Sequence, residues 1–131
     1  MKRLIVDVRP GEYTVTRLAA DAPVPSGLLD LTGVLVSVTR TPAEMSIIAP
    51  SSFELSADSA EKGWRLLTVR GPLEFTLTGI MAAIAGALAA AGVSLFALST
   101  FNTDHILVKA ADLGRAVAAL TEAGHEVHQP A

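Results

Sequence analysis

The stretch GIMAAIAGALAAAGVSLFALSTFNTDHILVK, residues 79–109, carries the clearest structural signals in the chain. Its first half places large apolar residues at the spacing of one helix face, namely Ile80, Ile84 and Leu88. Gly92 follows as a typical stop signal, and the residues after it are rich in the β-branched and aromatic types that strands favour. The polar segment STFNTD interrupts this second apolar run. The pattern therefore predicts a helix over 79–91 and a β-hairpin over 93–109.

The sequence on either side of this stretch extends the pattern to six elements. WRLLTVR, residues 64–70, predicts a strand before the helix, and Thr78 is a suitable N-cap for that helix. After the hairpin, Asp112 can cap a second helix that ends at Gly124, and residues 125–128 predict a short last strand. The resulting order βαββαβ is that of the split βαβ, or ferredoxin-like, unit.

An internal repeat indicates that this unit occurs twice. LVSVTRTPAEMSII, residues 35–48, aligns without a gap with LFALSTFNTDHILV, residues 95–108. Each copy predicts a hairpin, and the alignment matches Glu44 in the first turn with Asp104 in the second. We therefore predict an α+β chain built from two tandem βαββαβ units.

The two predicted units differ in how complete they are. We assign residues 1–62 to a degraded N-terminal unit and residues 63–131 to a complete C-terminal unit. In the N-terminal unit, PVPSGLLDL (residues 23–31) predicts a shortened first helix. Residues 50–63 occupy the slot of the second helix but are polar and weakly helical, so they are interpreted mostly as a linker. The initial strand RLIVDV, residues 3–8, could pair with either half.

Composition excludes several classes of protein. Half of the 131 residues are hydrophobic and the net charge is −3, so the chain is neither disordered nor suited to binding nucleic-acid phosphates. The absence of cysteine excludes disulfides and thiolate metal sites. Residues 79–98 are long enough to span a membrane, but they are mostly Ala and Gly and no cluster of Lys or Arg flanks them. We expect a cytoplasmic protein that neither crosses membranes nor binds nucleic acid.

No catalytic or metal-binding motif stands out. The chain has no nucleophile elbow, P-loop or dinucleotide glycine pattern, so we expect neither an enzyme nor a bound cofactor. His125 and His128 form an H-x-x-H pattern, but residues three apart on a strand point to opposite faces. We interpret both as the solvated end of the last strand.

The segments FTLTGI, AGVSLFALST and TDHILV resemble ACT domains. The similarity is continuous from Trp64 to Glu126 and looser over residues 11–50. More narrowly, the chain resembles small bacterial tandem ACT-like proteins, which are related to the CASTOR-type arginine sensors and to the regulatory domains of aspartate kinases. The resemblance implies a small-molecule ligand, usually an amino acid, that binds at an interface between two ACT units and regulates an enzyme or protein partner.

Two segments are candidates for the ligand site. The loop before the first helix provides Leu77, Thr78, Gly79 and Ile80, and the hairpin turn provides Ser99, Thr100, Phe101, Asn102 and Asp104. Unpaired amides at a helix start suit a carboxylate, and a carboxylate in the turn suits an ammonium or guanidinium group. The resemblance carries a binding role onto Thr100, Phe101 and Asp104. By the repeat, Arg40, Thr41 and Glu44 are secondary candidates.

Other interpretations of these residues stay open. Asn, Asp and Thr are common in hairpin turns because their side chains bond the local backbone, and Thr78 and Gly79 suit a helix start without any ligand. Two functions are therefore weighed. The first is an amino-acid-binding regulatory protein, expected to be a homodimer because VSLFAL is apolar on both faces. The second is a protein–protein assembly module with no response to small molecules.

Overall fold

The computed structural model describes residues 3–57, 59–72 and 79–130. Its strands and helices are β1 (Ile5–Val8), β2 (Tyr13–Leu18), β3 (Ser37–Arg40), β4 (Met45–Pro50), β5 (Ser59–Val69), α1 (Ile80–Ala90), β6 (Leu95–Ser99), β7 (Asp104–Lys109), α2 (Leu113–Glu122) and β8 (Glu126–His128). The chain forms two compact units. The N-terminal unit is Gly11–Trp64, and the C-terminal unit combines Met1–Pro10 with Arg65–Ala131. Strand β1, whose pairing the sequence left open, thus belongs to the C-terminal unit.

The sheet of the C-terminal unit has the order β6-β7-β5-β1-β8. In a plain βαββαβ unit the last strand lies beside the first, but here β1 lies between β5 and β8. It is antiparallel to β5 and parallel to β8. The Arg70 guanidinium makes two bonds to the Asp7 carboxylate, at 2.6 and 3.0 Å, and these hydrogen bonds lower the pKa of Asp7. The N-terminal strand is therefore an internal strand of this unit.

Both helices cover one face of this sheet, and the hydrophobic core of the unit lies between the helices and the sheet. The residues predicted to face the core from α1, Ile80, Ile84 and Leu88, are all buried. They pack with strand residues and with α2, in a cluster that includes Val6, Leu67, Val69, Ile106, Val108, Ala116 and Leu120. Burying one such aliphatic side chain stabilises the fold by roughly 1.5–3 kcal/mol. The helix and hairpin predictions for residues 79–109 are confirmed.

Glycines lie at both ends of α1: Gly92 ends the helix as the sequence indicated, but the N-cap position is held by Gly79 and not by Thr78 as expected. Gly92 has a φ of 73°, and the amide of Val93 donates to the carbonyl of Leu88 at 2.9 Å, which closes the last turn. Gly79, at the N-cap position, has a φ of 77°. Asp112 occupies the N-cap position of α2 as predicted, but its carboxylate pairs with Arg115 at 2.5 Å instead of capping a backbone amide.

The N-terminal unit has the strand order of a ferredoxin-like unit. β2 pairs with β4 over its whole length, β3 pairs with β4, and β2 also pairs with the first part of β5. The order β3-β4-β2-β5 corresponds to strands 2-3-1-4 of the βαββαβ pattern. The predicted hairpin over residues 34–48 is thus confirmed, and so is the predicted α+β, ferredoxin-like class. β5 is the fourth strand of this unit and continues as the first strand of the next.

Two expectations for this unit were wrong. Residues 23–31 do not form an α-helix but contain a single 3₁₀ turn, Leu28–Asp30, because Pro23 and Pro25 lack amide donors and Gly27 is left-handed at a φ of 82°. The supposed linker 50–63 contains the start of β5. Its side chains there are polar and exposed, so no hydrophobic alternation revealed the strand, although its backbone pairs with β2.

Candidate functional site

The hairpin turn between β6 and β7 is the best-defined part of the predicted site. Ser99 and Asp104 are the last paired residues of the two strands, and the Ser99 hydroxyl donates to Asp104 Oδ1 at 2.5 Å. Within the turn, the amide and the hydroxyl of Thr100 both donate to the carbonyl of Thr103, at 2.8 and 3.1 Å. Phe101 and Asn102 are exposed at the tip, with Phe101 79% exposed. The turn is therefore closed by hydrogen bonds and presents an aromatic ring outward.

Asp104 lies on the helix-covered face of the sheet. Side chains alternate along a strand, and Ile106 and Val108, two and four residues after Asp104, belong to the core beneath the helices. The Thr103 hydroxyl donates to the carbonyl of Val69 at 2.5 Å, so the turn lies at the end of β5 from which the chain continues to α1. The carboxylate therefore occupies the same face and the same end of the sheet as the start of α1.

The start of α1 is uncapped by any side chain in the part of the chain that the structure describes. Its first turn holds no acidic residue. Apart from the chain neighbours of Gly79, no atom of the described residues lies within 4 Å of the position where its Cβ would be. The side chain of Ile80 is buried in the core, so only its backbone can face a ligand. Leu77 and Thr78 lie outside the described residues.

His105 links the turn to the sheet, and sequence analysis did not select it. Its Nδ1 lies 3.0 Å from the Thr68 hydroxyl and its Nε2 lies 3.4 Å from the Thr100 hydroxyl. Burial lowers the pKa of His105, and the nearby Asp104 only partly opposes that effect. A neutral ring between two hydroxyls holds Thr100 in place. The only hint in the sequence was a histidine next to the candidate carboxylate.

The secondary candidates Arg40, Thr41 and Glu44 do not occupy the hairpin positions that the gapless alignment assigned to them. The last pair of that hairpin is Arg40 with Met45, so Glu44 is a turn residue, whereas Asp104 is the first residue of its strand. The gapless alignment is thus out of step by one residue, and buried Met45 is the structural counterpart of Asp104. The expected match between the two acidic residues was wrong.

The polar groups of that first hairpin hold the turn and a neighbouring loop in place. The Thr41 hydroxyl accepts the amides of Ala43 and Glu44 at 3.1 and 3.2 Å. The Arg40 guanidinium donates to the carbonyls of Ala20 and Ala22. These contacts close the turn and hold the neighbouring loop, and none of them indicates a ligand site.

Of the two histidines at the end of the chain, His125 differs from expectation and His128 does not. His125 is not solvated: it is 5% exposed, and its Nδ1 accepts the amide of Leu4 at 3.1 Å. His128 is exposed and pairs with Glu126. Within the described residues, no group of three or more His, Cys, Asp or Glu could hold a metal ion. Over the same ranges, no helix is both long enough and apolar enough to cross a membrane.

Comparison with known proteins identifies the family. Residues 59–122 match the model of the ACT domain, from the start of β5 to the end of α2. An Agrobacterium tumefaciens protein of known crystal structure is 31% identical, with a TM-score of 0.89 over 100% of this chain and 96% of that one. This chain belongs to the ACT domain family. The resemblance noted in the sequence is confirmed, and β1 is a strand added to the ACT unit.

Other ACT proteins resemble the chain in sequence or in fold. The cytosolic arginine sensor for mTORC1 subunit 1 from Homo sapiens is 37% identical over 112 residues, covering 82% of this chain and 33% of the sensor. The chain thus spans about a third of the length of the curated relatives it matches. The ligand-free regulatory subunit of aspartate kinase from Thermus thermophilus is 14% identical with a TM-score of 0.61, covering 90% and 95% of the two chains, and shows the fold alone.

Proposed function

We propose that this ACT protein is a cytosolic regulatory protein that binds an amino acid at the end of its C-terminal unit. The observation that carries the proposal is the position of Asp104, on the helix-covered face at the end of the sheet where α1 begins. A carboxylate and a set of helix-start amides offer complements to both charges of an amino acid. The arginine sensors named among the relatives support this ligand class.

Each group has a distinct part in the proposed complex. The amides near Gly79 and Ile80 donate hydrogen bonds to the ligand carboxylate, and Asp104 pairs with an ammonium or guanidinium group. Ser99 keeps the Asp104 carboxylate in one orientation through its 2.5 Å bond. The exposed ring of Phe101 covers the aliphatic part of the ligand, which excludes water and strengthens the charged contacts.

A second copy of the chain provides the other wall of this site in our proposal. β6 pairs only with β7 among the described strands, so its other edge is open there, and the side chain of Phe96 on β6 is 37% exposed. An open edge and an exposed aromatic turn suit a homodimer. Ligand bound in the interface would favour one arrangement of the two copies, and a partner protein would respond to that arrangement.

The same open edge favours a second candidate function. Exposed apolar groups on an edge strand are sufficient for assembly without any ligand. Such a module would form a dimer whose stability is the same with and without amino acids. The two functions are separated by whether a small molecule changes the dimer.

The test is calorimetric titration with L-arginine and with agmatine, which lacks the carboxylate. We expect L-arginine to bind, agmatine to bind more weakly, and Asp104→Asn to weaken arginine binding about 10- to 100-fold, since a hydrogen bond to a charged group contributes about 1.5–3 kcal/mol. Glu122→Gln, an exposed acid on α2, is the control and should leave affinity unchanged. An Asp104→Asn protein with wild-type affinity for arginine would remove this residue from the site.

A further inference from the structure

The N-terminal unit contains a cavity of about 270 Å³ that is unrelated to the Asp104 turn. Its walls come from β2, the end of β4, the connection after β4 and the start of β5. The lining residues are Thr14, Thr16, Ala49, Pro50, Ser51, Phe53, Glu54, Leu55, Ala60 and Lys62. All of them belong to the N-terminal unit, so the cavity does not depend on the C-terminal unit.

The cavity exists because the second helix of this unit is missing. In the C-terminal unit, α2 connects the third strand to the fourth and fills the space over the sheet with Ala116 and Leu120. In the N-terminal unit, residues 51–57 make the same connection without a helix. Phe53 and Leu55 of this connection pack on the apolar cluster around Ile47, but they leave a cavity beside Thr14 and Thr16.

Hydroxyl groups line the strand side of the cavity. Thr14 and Thr16 lie on the same face of β2, and Thr16 is only 3% exposed. The Thr14 hydroxyl lies 2.8 Å from the Ser51 hydroxyl, so the strand and the connection are linked at the rim. Thr16 is thus a buried hydroxyl, which costs free energy because it loses water, whereas Thr14 is half-buried and Ser51 is exposed.

The remaining lining groups define the chemistry of an occupant. Glu54 and Lys62 provide one charge of each sign, while Phe53, Leu55 and Ala49 provide an apolar wall. A cavity of about 150 Å³ is large enough for benzene, so this one holds a somewhat larger molecule. Opposite charges beside an apolar wall suit a ligand that itself carries both charges and a short apolar group.

We propose that this cavity is a second binding site, which takes a small zwitterion with a short aliphatic side chain. Glu54 binds its ammonium group and Lys62 its carboxylate, while the hydroxyls of Thr14 and Ser51 complete the polar contacts. The aliphatic group lies against Phe53 and Leu55. This site lies in the other unit, is formed by other residues and owes its shape to a missing helix. It is therefore tested independently of the proposed Asp104 site.

The experiment is an NMR titration of the ¹⁵N-labelled Asp104→Asn protein, in which the other site has lost its charge. The probes are L-valine and isovalerate, which lacks the ammonium group. We expect L-valine to cause saturable shifts of the Thr14, Thr16 and Phe53 amides, and isovalerate to bind at least about tenfold more weakly, since it loses a charge-assisted bond. Equal binding of the two probes, or no saturable shift with valine at millimolar concentration, overturns the proposal.

Two variants test the position of the ligand. Ala60→Ile fills the cavity from an exposed strand position and should abolish the valine shifts. Glu54→Gln should weaken valine about tenfold. The matched control is Glu12→Gln, an exposed acid of the same unit that does not line the cavity, and it should leave the valine shifts as they are. Valine binding that survives both Ala60→Ile and Glu54→Gln overturns the assignment.

Discussion

Val6→Ala tests the finding that the N-terminal strand is an internal strand of the C-terminal unit. Val6 lies between Val69 and Val127 in the sheet and is 0% exposed. The substitution removes two methyl groups, each worth about 0.8 kcal/mol of burial, and leaves a small cavity. We therefore expect a loss of about 2–3 kcal/mol in the free energy of unfolding. With a urea m-value of about 2 kcal/mol per molar, the midpoint should fall by about 1–1.5 M.

The assay is urea denaturation followed by circular dichroism, with Val24→Ala as the matched control. Val24 is 39% exposed, so the same chemical change should cost no more than about 0.5 kcal/mol. If the two variants lose stability equally, Val6 is not part of the core and the insertion of β1 between β5 and β8 is refuted.

Two further predictions concern His105 and the glycines of α1. Burial lowers the pKa of His105 below 6.5, so the unfolded state binds more protons than the folded state at acid pH. The contribution of His105 to the free energy of unfolding should therefore be constant above about pH 6.5 and fall below it. Urea denaturation across pH should show a smaller fall in His105→Asn than in the wild type. Gly79 has a φ of 77° and open space around it, so Gly79→Ala should cost about 1–2 kcal/mol through the backbone alone. Gly86 lies inside α1 with equally open space, so Gly86→Ala should stabilise by about 0.5–1 kcal/mol, and thermal melts that show the same sign for both would contradict this account.

The parts of the fold that could be predicted depend on local pattern. Ile80, Ile84 and Leu88 set the face of α1, and a glycine marks its end, so neighbouring residues alone determine that helix. The β6–β7 hairpin likewise joins two adjacent apolar runs across a short turn. Such elements are decided by contacts between residues close in the chain, which a sequence displays directly.

The parts that could not be predicted depend on distant partners. Ile5 pairs with Glu126 at the other end of the chain, and nothing near Ile5 indicates that pairing. The same docking buries His125, whose Nδ1 receives the Leu4 amide. The polar residues 59–63 form a strand only because β2 offers its backbone edge.

The candidate site contains both kinds of feature, those that a local pattern predicts and those that depend on distant partners. The sequence selected Asp104 and its turn, but its bond to Ser99 and the role of His105 required the strand register. The register also separated Glu44 from Asp104, which the gapless alignment had matched. The cavity beside Thr16 was missed because it arises from an absent helix, and a sequence shows which residues are present more readily than the space they leave.

The most direct test of the central claim is a thermal-shift screen of the twenty amino acids against the wild-type and Asp104→Asn proteins. A ligand at about 100 times its Kd stabilises the folded state by about 2.7 kcal/mol, which is ample for detection. The account predicts that at least one amino acid raises the Tm of the wild type and that Asp104→Asn loses this increase. It would be contradicted if none of the twenty raised the Tm, or if every amino acid that raised the Tm did so equally in both proteins.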